Sequence, residues 1–235
     1  MRINEVFCSL QGEGVNAGLP TVFVRFQGCN LKPFCCWCDT KYAQTDGDEE
    51  LTLKQLMERI TKIGAPTCCE RFCITGGEPL RQELEVIELV QELQRNGVKN
   101  IEIFTNGSLP VPVWYERVQW CVDVKCPSSR TQIRNNDYDE WFRKLRPNDS
   151  VKFVVADEKD LEYCESISRG IDKVRGPQVL VSPMIQLKDY VSILNGQQDP
   201  FGMLWLQTVW NFCVENNVRW SFQQHKLVFG SKRGV

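Results

Sequence analysis

Apolar residues along this chain recur at two spacings, one typical of strands and one of helices. Residues 19–28 open with a turn-like Leu19-Pro20 and continue as a β-rich run, Thr21 to Phe26. The polar stretch 43–50 reads as a loop. Thr52 is set to cap a helix in which Leu53, Leu56, Met57, Ile60 and Ile63 repeat at helical spacing. Short strands are expected at 71–75, 99–104, 118–124, 151–156, 178–182 (stopped by Pro183) and 218–222. Helices are expected at 83–95, through Leu84, Ile87, Val90 and Leu93 with Gly97 as the stop, weakly at 157–169, and at 201–216. Residues 126–150 depart from this alternation. Alternating strands and helices imply an α/β chain whose parallel strands are buried on both faces. No repeat, linker or low-complexity segment divides it, so residues 1–235 read as one domain.

Composition narrows the class. At 235 residues the chain can bury a core without disulfide staples. A hydrophobic share of 42% and a charged share of 25% exclude a disordered or fibrous protein. The formal net charge of -2 gives no basic field, so nucleic acid is a poor partner. No 18-residue apolar run exists, and the N-terminal MRINEVFCSLQGEG does not read as a signal peptide. A cytoplasmic protein with no membrane contact is expected. Twelve cysteines then read as thiols in a reducing compartment, some of them bound to a soft metal. The single histidine, His225, excludes a three-histidine zinc site.

The chemistry-bearing residues follow expected strands: Cys29 to Cys38, Gly76 to Glu78, Thr105 to Gly107, and Asp123 to Lys125. Active sites of parallel α/β proteins lie outside the carboxyl ends of their strands. Cys29, Cys35, Cys36 and Cys38 fall within ten residues and can converge on one soft metal centre. Zinc, or buried and redox thiols, are the competing readings. Read singly, Gly76-Gly77 is a strand-to-helix turn, Thr40 a cap hydroxyl, Arg25 a solvated strand residue and His225 a boundary histidine. Cys68, Cys69 and Cys73 read as packing thiols.

Taken together, the motifs resemble the 7-carboxy-7-deazaguanine synthase family of the radical S-adenosylmethionine superfamily. The matching pieces run in family order: Leu10 to Gly14, Phe23-Val24-Arg25, Gly28-Cys29-Asn30, Cys38-Asp39-Thr40, Thr75 to Pro79, Thr105-Asn106-Gly107, Asp123 to Ser129, His225-Lys226 and Arg233-Gly234-Val235. The resemblance implies a partial, open (β/α)6-type barrel with a reduced helix complement. It implies a [4Fe-4S] cluster on Cys29, Cys35 and Cys38, with Cys36 as the alternative to Cys35, in a cluster loop at 29–38. S-adenosylmethionine would meet Trp37, Cys38, Asp39, Gly76, Gly77, Glu78, Asn106, Asp123, Val124 and Lys125. Thr40 would hold Mg2+. The substrate 6-carboxy-5,6,7,8-tetrahydropterin would meet Leu10, Gln11, Gly12, Glu13, Arg25, Thr75 and, in a C-terminal tail at 225–235, His225 and Val235.

In the implied reaction a 5'-deoxyadenosyl radical takes the substrate's C6 hydrogen, the ring contracts, and ammonia leaves. A homodimer and a flavodoxin- or ferredoxin-type electron donor are implied partners. Another superfamily member, such as a glycyl-radical activating enzyme, and a non-enzymatic iron–sulfur or zinc protein are the alternatives. Two departures from the family pattern stand out. Five residues, rather than three, separate Cys29 from Cys35, and Arg130 stands where relatives often have glycine.

Overall fold

The computed structural model describes residues 1–45, 47, 50–63, 70–131, 138–172, 174–185, 200–230 and 232–234. Eight strands form one sheet in chain order: β1 (Ile3–Leu10), β2 (Pro20–Phe26), β3 (Arg71–Gly76), β4 (Asn100–Thr105), β5 (Gln119–Val124), β6 (Ser150–Val155), β7 (Gln178–Pro183) and β8 (Arg219–Trp220). β1 runs antiparallel to β2, and each later neighbour pair is parallel. β1 and β8 stay unpaired with each other, so the sheet is open. Among the described residues the helices are α1 (Leu53–Lys62), α2 (Glu83–Arg95), α3 (Asp139–Lys144), α4 (Glu158–Ser168), α5 (Pro200–Asn216) and α6 (Gln224–Phe229). Helical cover is reduced where the sequence pattern weakens. β4 and β5 are joined through only a 3-10 turn at Tyr115–Arg117, and α3 has six residues.

The central parallel strands are buried on both faces, as expected, but only one of the two faces is apolar throughout. One face carries Val22, Val24, Phe26, Phe72, Ile74, Ile101, Ile103, Trp120, Val122, Val151 and Phe153, packed with Leu56, Ile60, Leu89 and Leu93 of the helices. Each such side chain contributes about 1.5–3 kcal/mol by leaving water. Side chains alternate along a strand, so the intervening residues point the other way. They include Arg25, Thr75, Glu102, Asp123 and Lys152. The parallel register sets Arg25 beside Thr75 and Asp123 beside Lys152. The inner face is therefore the polar one.

Local signals hold where they are strong. Thr52 and Gln55 form a reciprocal capping box at α1. Gly97, at φ 85, ends α2 in a left-handed turn in which Val98 N donates to Leu93 O at 3.0 Å. The face of α2 differs from the expected one. Val86, Leu89, Val90 and Leu93 are buried, whereas Leu84 is 76% exposed. β1 had no strong signature because it is an edge strand with one fully buried residue. The last strand spans two residues, and α6 had no anticipated counterpart. Trp120 and Trp141 are core residues packed edge to face. Among the described residues no helix is long and apolar enough to cross a membrane.

Glu102 is the least expected inner-face residue. It is wholly buried and takes one bond from Gln11 Nε2 at 2.9 Å, while its Oε1 has no partner among the described residues. Burial pushes its carboxyl up to about 7, against the lowering effect of Gln11. The folded chain therefore holds this proton more tightly than the unfolded chain does, and stability falls as pH rises from about 4.5 through about 7. Glu102→Gln removes that slope. The melting temperature of the variant relative to the parent is expected to rise between pH 5 and pH 8, measured by calorimetry.

Candidate active site

The segments that follow β2, β3, β4 and β5 meet at one end of the sheet. Gly28 N donates to Ala43 O at 2.8 Å, and Cys29 N to Gln44 O at 2.9 Å. From the next turn, Gly77 N donates to Phe26 O and Glu78 N to Gly28 O. A Cβ on Gly77 would lie 2.4 Å from the carbonyl oxygens of both Ala43 and Gly28, so the backbones approach too closely for any side chain. Gly76-Gly77 is thus a turn, and also the seam that fixes the start of the cysteine loop.

Glu78 is fully enclosed. Its carboxylate takes bonds from Thr105 Oγ1 (2.8 Å), Asn106 N (2.7 Å) and Leu80 N (3.0 Å). Burial raises its pKa to about 7 although every one of these donors lowers it. The carboxylate thus locks the β3 and β4 turns together. Asn106 continues the lock. Its Nδ2 donates to Asn30 Oδ1 at 3.0 Å, and Asn30 Nδ2 donates to Ser108 Oγ at 2.8 Å.

Within the loop, Cys29 and Cys35 gather with Leu31, Phe34 and Cys38 in a small apolar cluster apart from the main core. Burial pushes the Cys29 thiol up and Cys35 to about 11, with the neighbouring Lys125 ammonium opposing both. The three thiols also act electrostatically on one another. Cys36 is turned outward and donates its thiol to Ser128 O at 3.1 Å. Thr40 N donates to Cys38 Sγ at 3.4 Å. This soft, all-sulfur set suits iron or another thiophilic metal. The thiols are not closed around a centre: among the described residues no group of three or more Cys, His, Asp or Glu side chains is arranged to hold a metal ion.

The far side of the loop rests on the turn Pro127–Ser129. Cys36 N donates to Ser129 O, and Trp37 Nε1 to Ser128 Oγ at 3.2 Å. That turn is held in turn by Asp160, buried in the first turn of α4, which accepts from Ser128 N (3.0 Å) and Ala156 N (2.8 Å).

A line of charges crosses the inner face. Glu13 Oε2 meets Lys152 Nζ at 2.9 Å, Lys152 lies 3.7 Å from Asp123 Oδ2, and Asp123 pairs with Lys125 at 2.8 Å. Asp123 Oδ1 is buried with no partner among the described residues. Lys125 also stands 5.4 Å from the Trp37 ring centre. Gln11 points inward to Glu102, and Gly12 packs on the His225 ring, where a Cβ would fall 2.2 Å from Nδ1. Lys226 Nζ meets Asp39 Oδ2 at 2.8 Å, and Thr40 Oγ1 donates to Asp39 Oδ1. Loop 10–14, the cysteine loop and α6 therefore share one wall.

The Radical SAM superfamily matches residues 23–128 of this chain. The 7-carboxy-7-deazaguanine synthase of Koribacter versatilis is 33% identical over 97% of this chain and 97% of its own. The chain belongs to the 7-carboxy-7-deazaguanine synthase family. The synthase of Chlorobaculum tepidum is 32% identical over 100% of this chain and 97% of its own. That of Methanospirillum hungatei is 41% identical over 71% of this chain and 66% of its own. The crystal structure of QueE from Escherichia coli shares the fold, with a TM-score of 0.65 at 23% identity, over 95% of this chain and 93% of that one. The open α/β sheet with few helices is thus the fold of this family. As a radical S-adenosylmethionine protein, the chain uses an iron–sulfur cluster and S-adenosylmethionine.

Against the synthase motifs, most residues converge and some do not. Leu10 is 57% exposed at the sheet edge. Val124 buries its side chain in the helix-facing core, so only its backbone faces the site. Val235 lies outside the described residues. Arg25 donates its Nε to Glu5 at 2.7 Å, and its terminal nitrogens make no hydrogen bond among the described residues. Sequence reasoning quoted Asn30 within a motif without giving it a role, and missed Ser108, Lys152, Asp160 and Gln223. Lys152 had a signal, a lone cation inside the apolar run Val151 to Val155. Asp160 looks like an ordinary first-turn acid of α4, and Ser108 and Gln223 lie in polar stretches where no periodicity marks them.

Asp160→Ala leaves the Ser128 and Ala156 amides unpaired, at about 1–3 kcal/mol each. Hydrogen–deuterium exchange is expected to speed up at Cys36-Trp37 while Gly28-Cys29, anchored elsewhere, stays protected. Equal acceleration at both places would show that the loop moves as one unit and that Asp160 holds no separate anchor.

Proposed function

We propose that this chain converts 6-carboxy-5,6,7,8-tetrahydropterin to 7-carboxy-7-deazaguanine, with release of ammonia, in 7-deazapurine and queuosine biosynthesis. One observation carries the reading: the end-to-end match to a synthase of that product, 33% identical along 97% of both chains. In this reading residues 1–235 work as one radical S-adenosylmethionine domain, with its cluster loop at 29–38 and its substrate tail at 225–235.

Cys29, Cys35 and Cys38 hold the [4Fe-4S] cluster, and the outward turn of Cys36 supports Cys35 as the second ligand. Thr40 offers its hydroxyl to Mg2+, which prefers hard oxygen ligands. S-adenosylmethionine lies along Trp37, Cys38, Asp39, Gly76, Gly77, Glu78, Asn106 and Asp123 to Lys125. When bound, the cluster and S-adenosylmethionine supply the radical that removes substrate hydrogen. The residues of the chain bind and orient. Arg25 has two terminal nitrogens left for a substrate carboxylate, with Thr75 beside it on β3. Gln11, Gly12, Glu13 and His225 take the ring edge, Leu10 contributes backbone, and Val235 is a further substrate contact.

The protein acts in the cytoplasm as a homodimer, reduced by a flavodoxin- or ferredoxin-type donor. The exposed Met203, Leu204, Trp210 and Val214 of α5 support a second copy as the dimer partner.

The test is an anaerobic assay of reduced, reconstituted protein with S-adenosylmethionine, magnesium and the carboxytetrahydropterin. Formation of 7-carboxy-7-deazaguanine is expected by liquid chromatography–mass spectrometry. Cleavage of S-adenosylmethionine without that product points to another superfamily substrate. Separately, Cys35→Ser is expected to lower bound iron sharply and Cys36→Ser to leave it near the parent value. The opposite pattern reverses the ligand assignment.

A further inference from the structure

Lys152 stands on the inner face of β6 and is 3% exposed. A buried ammonium is disfavoured unless anions surround it. Here Glu13 Oε2 lies at 2.9 Å and Asp123 Oδ2 at 3.7 Å, and the Phe104 ring covers the cation at 5.6 Å. The carboxylate of Glu13 is used unevenly. Oε2 takes Lys152 and, at 3.4 Å, Gln223 Nε2, whereas Oε1 accepts no hydrogen bond among the described residues. One oxygen is anchored and the other is left to accept a further donor.

We propose that Lys152 is a positioning residue that holds Glu13 as an ionised acceptor, selecting a heterocycle that presents adjacent ring N–H and amino donors. This rests on the pterin reading above and adds what enforces it. An ionised carboxylate offers acceptors only, while a protonated one presents a donor that would face the substrate's own donors. Burial alone would drive Glu13 toward the protonated form, and Lys152, with His225, holds its pKa below the usual range. The groups facing Glu13 are Lys152 from β6, Gln223 and His225 at the start of α6, and Asp39 from the cysteine loop. His225 has its pKa lowered by burial, so above pH 7 it is neutral and Lys152 is the cation that remains. Asp39 opposes ionisation and is engaged by Lys226.

The experiment compares the reconstituted parent, Lys152→Met and Lys152→Arg, reading kcat/KM from pH 7 to pH 9. The substrates are 6-carboxytetrahydropterin and its analogue lacking the 2-amino group. Lys152→Met is expected to lose about tenfold or more at pH 7 and to recover progressively toward pH 9, as Glu13 ionises without help. The arginine variant is expected within about threefold of the parent, since it restores the cation. The parent is expected to discriminate against the analogue, and Lys152→Met at pH 7 to lose most of that discrimination. If Lys152→Met fails to fold, Lys152→Gln takes its place. A loss that is equal at every pH, or unchanged discrimination, overturns the proposal while leaving the pterin reading intact. A parent enzyme that makes no product from the pterin overturns that reading, and the role of Lys152 falls with it.

Discussion

Glu78 donates its amide to Gly28 O across 2.8 Å while its buried carboxylate takes bonds from Thr105, Asn106 and Leu80. One residue thereby joins the turns after β2, β3 and β4, and the cysteine loop begins at the joint. Full enclosure raises the carboxyl to about 7, so three donors do not fully compensate for the water it gave up. The glycines before it are required by the same joint. Any side chain at Gly77 would separate the two carbonyls it touches and move Cys29 with them.

The inner face extends this logic from one carboxylate to a row. Glu13, Lys152, Asp123 and Lys125 alternate in sign, and each leans on an opposite charge rather than on water. Such a row is costly to build but stiff, because moving one member leaves its neighbour as an uncompensated buried charge. It also ties the loop at 10–14 to the neighbourhood of Trp37 and the thiols. The loop at 10–14 and the cysteine loop are thus connected through fixed charges.

Much of this could be read from the chain because strong local rules and the global fold agree. Seven strands, the helices at 53–62, 83–95, 158–168 and 200–216, the Thr52 cap and the Gly97 stop all follow from spacing. The motifs after the strands then mark the site. What escaped has physical reasons. β1 is an edge strand with little burial, so no alternation marks it. The face of α2 was misjudged because Leu84 is apolar yet exposed. The anchors Asn30, Ser108 and Asp160 act through one or two long-range hydrogen bonds each, which leave no period in the sequence. Asp160 in particular looks like an ordinary acidic residue of a first helical turn until Ser128 is seen on its carboxylate.

The two departures from the family pattern become understandable from where the anchors lie. The enlarged stretch Leu31 to Phe34 sits between two fixed points, Asn30 on Asn106 and Ser108, and Cys36-Trp37 on Ser128 and Ser129. Lys32 and Pro33 are exposed. The exposed part of the enlarged stretch thus lies between the two anchors, while Leu31 stays packed with Cys29 and Cys35. Arg130 adopts φ 58, the left-handed conformation that glycine would take freely. An L-residue there costs roughly 1–2 kcal/mol. The bond from Arg130 N to Pro127 O and the Asp160 clamp on Ser128 hold the turn against that cost. The chain can change sequence at both places because position in this loop is set by its neighbours' hydrogen bonds, not by its own spacing.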